Sequence, residues 1–420
     1  MPDLTDAASL QQAVRRCIAQ TNITDIHTHL FPPSHGGLML WGIDDLLTYH
    51  YLVAELFMVA PRSLTPEKFW AMPKTTQADL VWKHVFIEGG ALSEVAGGVV
   101  TTLNLLGLDA GPRDLAAIRK WYAAQSANAY LTRVFEQTRI DYAVMTNDPF
   151  KAEEVKHWKT SSSLRPVPEF LKTALRIDTM IVDWPGACRL LQAQGYDAQP
   201  AGGSVSFAEA RRFLLDWAKI LKPTYLAASL PPTFIYPEGT TAPQVVQNVV
   251  VPVAMELGVP LAMMIGVRRG VNPPLRDGGD GLGVADVRAV ENLCRDFPGA
   301  KFIVTMLARA NQHELTVLGR KFRNLHVEGC WWFCNNASII EEMTRMRVEL
   351  LGTAFTLQHS DARVLDQVIY KWAHAKRIAE KVLVERYTKL FNDGWRPTES
   401  EIARDIRNLF GGSFKTFLAK

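Results

Sequence analysis

Eight short apolar segments, separated mainly by helical patterns, constrain the fold of this chain more than any other feature. They lie at residues 23–31, 142–146, 173–177, 225–230, 260–266, 301–306, 324–330 and 354–359. Strands that alternate with helices are typical of α/β proteins with a parallel sheet. The interiors of these segments are continuously apolar, as expected for strands buried on both faces. They predict an α/β fold of the (β/α)8 TIM barrel class, with a doubly wound open sheet as the alternative that strand counting leaves open.

The interval between the first and second predicted strands is too long to be a loop. Within it, helical spacing of apolar residues recurs at 43–55, 66–87 and 114–138. We therefore predict a single barrel domain over residues 1–420 that carries a helical subdomain at 41–139. Barrel enzymes hold their active sites at the carboxyl ends of the strands, so we expect this subdomain to cap the site.

Composition excludes several classes of function. Of the 420 residues, 48% are hydrophobic and 21% are charged, and the net charge is +3. No run of Lys and Arg supplies the surface that nucleic acid or an anionic membrane would need, and no apolar stretch reaches membrane-spanning length. The five scattered cysteines argue against a disulfide framework. The N-terminal residues predict a helix capped by Thr5 or Asp6 and lack the apolar region of a secretory signal. We therefore expect a cytoplasmic protein without nucleic-acid or membrane partners.

Two motifs predict a metal-assisted site. The run Asp25-Ile26-His27-Thr28-His29-Leu30 lies on the first predicted strand, and Ser360-Asp361-Ala362-Arg363 follows the eighth. Because side chains two residues apart on a strand share a face, His27 and His29 can bind one metal ion. Asp361 and Arg363 are expected to point together into the same pocket. Taken alone, a His-x-His pair is more often two satisfied polar groups near a core.

In order along the chain, these motifs and three others resemble the uronate isomerases of the amidohydrolase superfamily, over essentially the whole length. The others are Ile43-Asp44-Asp45-Leu46-Leu47-Thr48-Tyr49-His50-Tyr51, Leu175-Arg176-Ile177-Asp178 and Gly329-Cys330-Trp331-Trp332-Phe333. The chain is most similar to a shorter, divergent branch of that family. The resemblance implies reversible aldose-ketose isomerisation of D-glucuronate to D-fructuronate and of D-galacturonate to D-tagaturonate. It also implies a divalent metal, expected to be Zn²⁺, and assembly into homo-oligomers.

Such an isomerase needs a base, a group that stabilises an oxyanion and an anchor for the substrate carboxylate. Asp361 is the candidate base for the C2 proton and is also a candidate metal ligand. Arg363 could stabilise the developing negative oxygen, and a structural ion pair with Asp361 is the plainer interpretation. The resemblance places His50 and Tyr51 in the pocket, where they could donate to sugar hydroxyls or relay a proton between oxygens.

Three further residues are candidates for substrate binding. Arg176 suits a bidentate grip of the carboxylate, although a salt bridge to Asp178 would explain it equally. Trp332 could stack on a sugar face, and alternation along a strand lets only one of Trp331 and Trp332 face inward. Arg268, which follows the fifth predicted strand, is a second anion-binding candidate.

One departure from the family pattern concerns the metal. Main-branch members carry a histidine in a His-x-Gly context on the fifth strand, where this chain has Met264-Ile265-Gly266. A thioether is a poor ligand for Zn²⁺, so the expected ligands reduce to His27, His29 and Asp361. The rival interpretations are a metal-dependent hydrolase of the same superfamily, which would need further ligands on the middle strands, and a non-catalytic barrel that binds sugar acids.

Overall fold

A parallel sheet forms the centre of the computed structural model, which describes residue 4 and residues 6–159 and 167–420. Its strands are β1 (Ile23–Thr28), β2 (Ile140–Asn147), β3 (Leu171–Arg176), β4 (Leu226–Leu230), β5 (Leu261–Ile265), β8 (Phe302–Met306) and β9 (Leu325–Val327). A separate antiparallel pair, β6 (Val267–Arg268) and β7 (Gly281–Leu282), follows β5. The curled sheet has the order β1-β2-β3-β4-β5-β8-β9. The strands follow chain order without a reversal, which rules out the doubly wound alternative.

Helices cover the outside of this sheet. In the described part of the chain the α-helices are α1 (Ala7–Gln20), α2 (Ile43–Leu47), α3 (His50–Val59), α4 (Pro66–Trp70), α5 (Lys74–Val81), α6 (Glu94–Leu105), α7 (Leu115–Ala123), α8 (Ala127–Thr138), α9 (Ala152–Lys159), α10 (Asp178–Val182), α11 (Trp184–Gln192), α12 (Ser204–Leu221), α13 (Thr241–Val245), α14 (Val251–Leu257), α15 (Arg288–Asp296), α16 (Gln312–Gly319), α17 (Ala337–Leu351), α18 (Gln367–Asn392), α19 (Glu399–Arg407) and α20 (Ser413–Ala419). Short 3-10 or π-helical turns occupy Pro33–Leu38, Trp82–Ile87, Val246–Val250, Pro273–Gly279, Arg309–Asn311, Trp332–Cys334 and Asn408–Gly412. Among the described residues, none of these helices combines the length and the apolar character needed to span a membrane.

The concave face of the sheet encloses an apolar cluster. Its members come from successive strands and from the C-terminal helix α20, and they are Ile26, Val144, Ala174, Tyr225, Ala227, Ala262, Ile303, Phe414 and Phe417. The opposite face of the sheet packs against the surrounding helices in a much larger cluster. Burial on both faces explains why the strand segments are continuously apolar in the sequence.

The eighth predicted strand, at 354–359, is not one of the seven strands of the sheet. Thr356 makes one isolated parallel bridge to Glu328, and its carbonyl accepts the Gly329 N–H at 2.9 Å. On its other side the segment reaches β1, because the Asp361 N–H donates to the His27 carbonyl at 3.0 Å. Asp361 has a left-handed φ of +49°, which interrupts the extended conformation that a longer strand pairing requires.

The interval between β1 and β2 is helical, as predicted, and contains α2 to α8. Helix α3 packs against the turn Pro273–Gly279, which follows β6. A second link lies at the start of α18, where the buried Asp366 carboxylate accepts from the hydroxyls of Tyr122 (2.6 Å) and Tyr130 (2.5 Å) and from the Gly42 N–H (2.7 Å). These contacts hold the inserted helices over the end of the sheet where β1 and β5 terminate.

The structure also bears on the predicted helix cap near the N-terminus and on the cysteines. The side chain of Asp6 caps α1 in a capping box with Ser9, whereas Thr5 lies outside the described residues. All five cysteines are buried and none forms a disulfide, as their spacing predicts.

Candidate active site

Two histidines and one aspartate form a compact cluster at the end of β1. His29 Nε2 lies 3.3 Å, and His27 Nε2 3.6 Å, from Asp361 Oδ1. Ligand atoms of the three residues lie within 4.8 Å of one another. His27 Nε2 and Asp361 Oδ1 are buried and make no hydrogen bond of good geometry within the described residues. Buried lone pairs that face one another without a donor are unfavourable unless a cation binds there, so the cluster fits a metal ion held by imidazole and carboxylate.

Hydroxyl groups behind the two histidines set which nitrogen carries the proton. The Tyr225 hydroxyl donates to the Ile26 carbonyl at 2.7 Å and lies 3.2 Å from His27 Nδ1. Because its single proton is already used, it accepts from His27 Nδ1–H. The Thr146 hydroxyl does the same, since it donates to the Thr28 carbonyl at 3.1 Å and lies 2.7 Å from His29 Nδ1. Both histidines therefore direct an unprotonated Nε2 at Asp361, which is the form that binds metal.

Asp361 is both strained and electrostatically stabilised as a carboxylate. Its positive φ is uncommon for a residue other than glycine and is typical of functional sites. Burial alone would raise the pKa of its carboxyl group, but hydrogen bonding and charge from His29 when its Nε2 is protonated, together with the nearby Lys371 and His27, hold that pKa below its usual value. The group is therefore ionised at neutral pH.

A cavity of about 180 Å³ opens above this cluster. Most of the predicted site residues line it, namely His29, His50, Tyr51, Arg176, Trp332, Asp361 and Arg363. The sequence did not single out the further lining residues Tyr49, Lys151, Ser229, Arg269 and Asp277. His27 lies beneath the cavity with its side chain buried. Residues from β1, β3, the inserted helix α3 and the segment before α18 thus converge at one site.

The two predicted arginines have different partners. Arg176 donates two hydrogen bonds to Asp178 Oδ2, from Nη2 at 2.5 Å and from Nε at 2.9 Å. The salt bridge to Asp178 is therefore present, and Arg176 lines the cavity as well. Arg363 does not pair with Asp361. Its Nη1 donates instead to the main-chain carbonyls of Leu38 at 2.8 Å and His29 at 3.3 Å.

Two predictions need correction. Arg268 is exposed and does not line the cavity, whereas its neighbour Arg269 does, because the chain turns directly after β6 and no longer follows strand geometry. Both Trp331 and Trp332 line the cavity, although only one was expected to face inward. Trp332 has a φ of +43° and begins a 3-10 turn, so the alternation of a strand does not apply to the pair.

The inserted helix contributes His50 and Tyr51 as expected. Tyr49 precedes α3 as its N-cap residue, and His50 and Tyr51 form the first turn. The His50 ring lies 5.2 Å from the Trp332 ring, and the Tyr51 ring lies 6.5 Å from it. These aromatic side chains together form one wall of the cavity.

Met264 occupies the β5 position at which a further metal ligand was considered. It is buried and packs with Val267, Leu307 and Trp331 in an apolar cluster below the aromatic wall. Its role here is packing, and His27, His29 and Asp361 remain the residues that could hold a metal.

Sequence reasoning missed the residues that support the site from behind. Thr146 and Tyr225 are separated from the histidines by more than a hundred positions, so no local pattern connects them. His359, buried, pairs with Glu328 beside the His27 ring. For Lys371 the sequence does contain a signal, because this charged residue interrupts the apolar run 368–372 on a helix with a buried face.

Comparison with known proteins decides the family. No protein-family model and no curated protein matches the chain. A solved uronate isomerase from Bacillus halodurans C-125 is 43% identical, with a TM-score of 0.96, over 99% of this chain and 98% of that one. The chain belongs to the uronate isomerase family. Two more distant structures share its fold.

The first of these is a uronate isomerase from Thermotoga maritima, which is 14% identical with a TM-score of 0.76 over 99% of both chains. The second is a glucuronate isomerase from Caulobacter crescentus, 15% identical with a TM-score of 0.74 over 100% of this chain and 95% of that one. At these identities the similarity concerns the fold alone.

Proposed function

We propose that this member of the uronate isomerase family interconverts D-glucuronate with D-fructuronate and D-galacturonate with D-tagaturonate. The observation that carries the proposal is the 43% identity to a uronate isomerase across the whole chain. The cavity supports it, because a buried carboxylate, three arginines and hydrogen-bonding aromatic side chains line one site. This set suits the binding of a polyhydroxylated acid and the transfer of its protons.

We also propose that the sheet closes into a (β/α)8 barrel within a single domain, with the inserted helices as its cap. The predicted strand at 354–359 would be the eighth, and the segment 356–362, which includes most of it and the residues up to Ala362, would close the sheet. It accepts the Gly329 N–H on the β9 side and accepts the His29 N–H through the Ala362 carbonyl, at 2.8 Å, on the β1 side. Hydrogen bonds to both neighbours are what a closing strand provides.

In the reaction, Asp361 is the base that takes the C2 proton and returns it to C1. The depressed pKa of its carboxyl group keeps it in the basic form, at the expense of proton affinity. His50 and Tyr51 face the same space and can move a proton between the O1 and O2 oxygens. Arg363 can stabilise the negative charge on the oxygen of the enediolate, and Arg176 can bind the substrate carboxylate.

His27, His29 and Asp361 would hold a divalent metal, which we propose to be Zn²⁺. A bound cation would supply Lewis-acid polarisation of a substrate oxygen. The rival hydrolase interpretation expects additional ligands, but the metal-binding group found among the described residues contains these three alone. The apolar packing of Met264 agrees with this smaller set.

The proposal is tested by an isomerase assay on both uronates, with metal content measured on the same sample. Asp361→Asn should lower turnover by about 10²-fold to 10⁴-fold, the usual contribution of a general base, and should abolish exchange of the C2 proton with solvent. His27→Ala should lose metal yet retain some activity. Asp216→Asn, on the outer helix α12, is the control and should match the wild type.

Absence of ketose formation from either uronate by folded, metal-supplied protein would refute the function. An active Asp361→Asn enzyme, or a His27→Ala enzyme that is equally inactive, would refute this division of roles between base and metal.

A further inference from the structure

Lys371 is a buried cation next to the candidate active site whose position the reaction described above does not explain. It lies near the start of α18 and is only 2% exposed. Its Nζ has no hydrogen-bond acceptor among the described residues, and burial lowers the pKa of its ammonium group. Burial of an ammonium without an acceptor is unfavourable, because its hydrogen bonds to water are lost and not replaced. Such local conflicts with stability are expected at functional positions.

A second cavity gives this ammonium access to the site. The cavity has a volume of about 230 Å³ and is lined in part by Lys371. It shares a wall with the first cavity, since His50, Tyr51, Asp277 and Trp332 line both. Lys371 Nζ lies 5.4 Å from the centre of the Tyr51 ring. A ligand that contacts Tyr51 and Trp332 therefore lies within reach of the lysine.

The other cations around the first cavity already have partners. Arg176 is paired with Asp178, Arg269 is paired with Asp280, and Arg363 donates to main-chain carbonyls. The exposed Lys151 has its Nζ 4.0 Å from Asp148 Oδ2. Lys371 differs from each because it is buried and none of its three N–H donors is used within the described residues. Carboxylates such as Asp361 act on its charge only from a distance, and its unused donors suit an oxygen of a negatively charged ligand.

We propose that Lys371 is a further substrate-binding residue, whose ammonium donates to an oxygen of the hexuronate where the two cavities meet beside Tyr51. The identity of the ligand rests on the proposed function. Bound substrate then supplies the acceptor that the ammonium lacks in the free protein. The lysine consequently destabilises the free protein and strengthens the complex.

Lys371→Met tests this inference, because methionine has a similar length without charge or donors. Loss of a hydrogen bond to a charged group should raise both the Kd and the KM for D-glucuronate by about 10-fold to 100-fold. The Tm of the ligand-free variant should equal or exceed that of the wild type. Kd is measured by calorimetry, KM by the isomerase assay and Tm by scanning without ligand.

Lys376→Met is the matched control on the same helix. Lys376 Nζ donates to the Thr138 carbonyl at 3.2 Å, and its side chain lines neither cavity. This variant should lower the Tm and leave Kd and KM within twofold of the wild type. The control thus separates general effects of removing a lysine from α18 from effects on binding.

Two results would overturn the inference. One is a Lys371→Met protein whose Kd and KM stay within twofold of the wild type, which would make the lysine structural. If that variant does not fold, Lys371→Gln replaces it, and an unchanged Kd again overturns the inference. The other is a wild type that does not bind D-glucuronate, which also removes the proposed function. A wild type that binds D-glucuronate but does not isomerise it would contradict the proposed function alone. The Kd values of the wild type and Lys371→Met, measured by calorimetry, would then still decide the role of Lys371.

Discussion

At the scale of single residues, hydroxyl groups prepare the candidate metal site. Tyr225 and Thr146 have each donated their only proton to a main-chain carbonyl. They can therefore only accept from the Nδ1–H groups of His27 and His29, which leaves both Nε2 atoms free. The histidines are held in the ligating form before a metal arrives, and this lowers the reorganisation that binding requires.

Tyr225→Phe should weaken metal binding without unfolding the protein. Removal of the hydroxyl leaves His27 Nδ1–H without its acceptor, and loss of such support typically lowers metal affinity about 10-fold to 100-fold. Competition with a chromophoric chelator measures the change. Tyr236→Phe is the control, since Tyr236 follows β4 outside the histidine cluster. Equal affinity in wild type and Tyr225→Phe would show that Tyr225 does not orient the ligand.

At the scale of elements, Asp366 connects the helical insertion to α18. Its carboxylate accepts from Tyr122 of α7, from Tyr130 of α8 and from the N–H of Gly42 just before α2. The same helix α18 carries Lys371, and the segment before it carries Asp361 and Arg363. The contact therefore fixes the inserted helices relative to residues of the site.

Asp366→Ala should lower the free energy of unfolding by about 3 kcal/mol or more, because each buried donor left without a partner costs about 1–3 kcal/mol. Asp405→Ala is the matched control, since Asp405 accepts from a single tyrosine hydroxyl, that of Tyr387, at 2.8 Å. It should cost about 1 kcal/mol. Urea unfolding monitored by circular dichroism measures both variants. Similar losses for the two variants would contradict the role assigned to Asp366.

At the scale of the whole molecule, closure of the barrel decides whether the site is complete. The segment 356–362 lies between β9 and β1 and brings Asp361 to the histidines of the first strand. In an open sheet, His27 and His29 at β1 would lie at one edge, and Asp361, which follows β9 in the chain, would lie at the other. The expected assembly into homo-oligomers remains a prediction.

Hydrogen exchange tests closure directly. If the segment is a paired strand, the amides of Thr356 and Asp361 should exchange as slowly as that of Phe302 in β8, because buried paired amides exchange only through opening. The amide of Leu92, whose side chain is 95% exposed, is the rapidly exchanging control. Mass spectrometry of peptides from 353–363 gives the rates. Exchange of this segment at the rate of Leu92 would mean that the sheet is open.

The sequence by itself determined the local features of this protein. Continuous apolar runs located the seven strands of the sheet, because strands buried on both faces carry few polar residues. The two-residue period of a strand placed His27 and His29 on one face. The resemblance identified the family, which the comparison with a solved uronate isomerase confirms. It also predicted that His50 and Tyr51 lie in the cavity.

Only the tertiary structure decided which distant groups meet. Arg269 rather than Arg268 lines the cavity, and both Trp331 and Trp332 do, because the chain leaves regular strand geometry after β5 and β9. The Arg363 side chain donates hydrogen bonds to main-chain carbonyls instead of pairing with Asp361. Lys371 reached the aromatic wall through the packing of α18. Periodicity fixes the direction of a side chain within an element, whereas partners across the site depend on the curl of the sheet and on loop conformations that non-local packing sets.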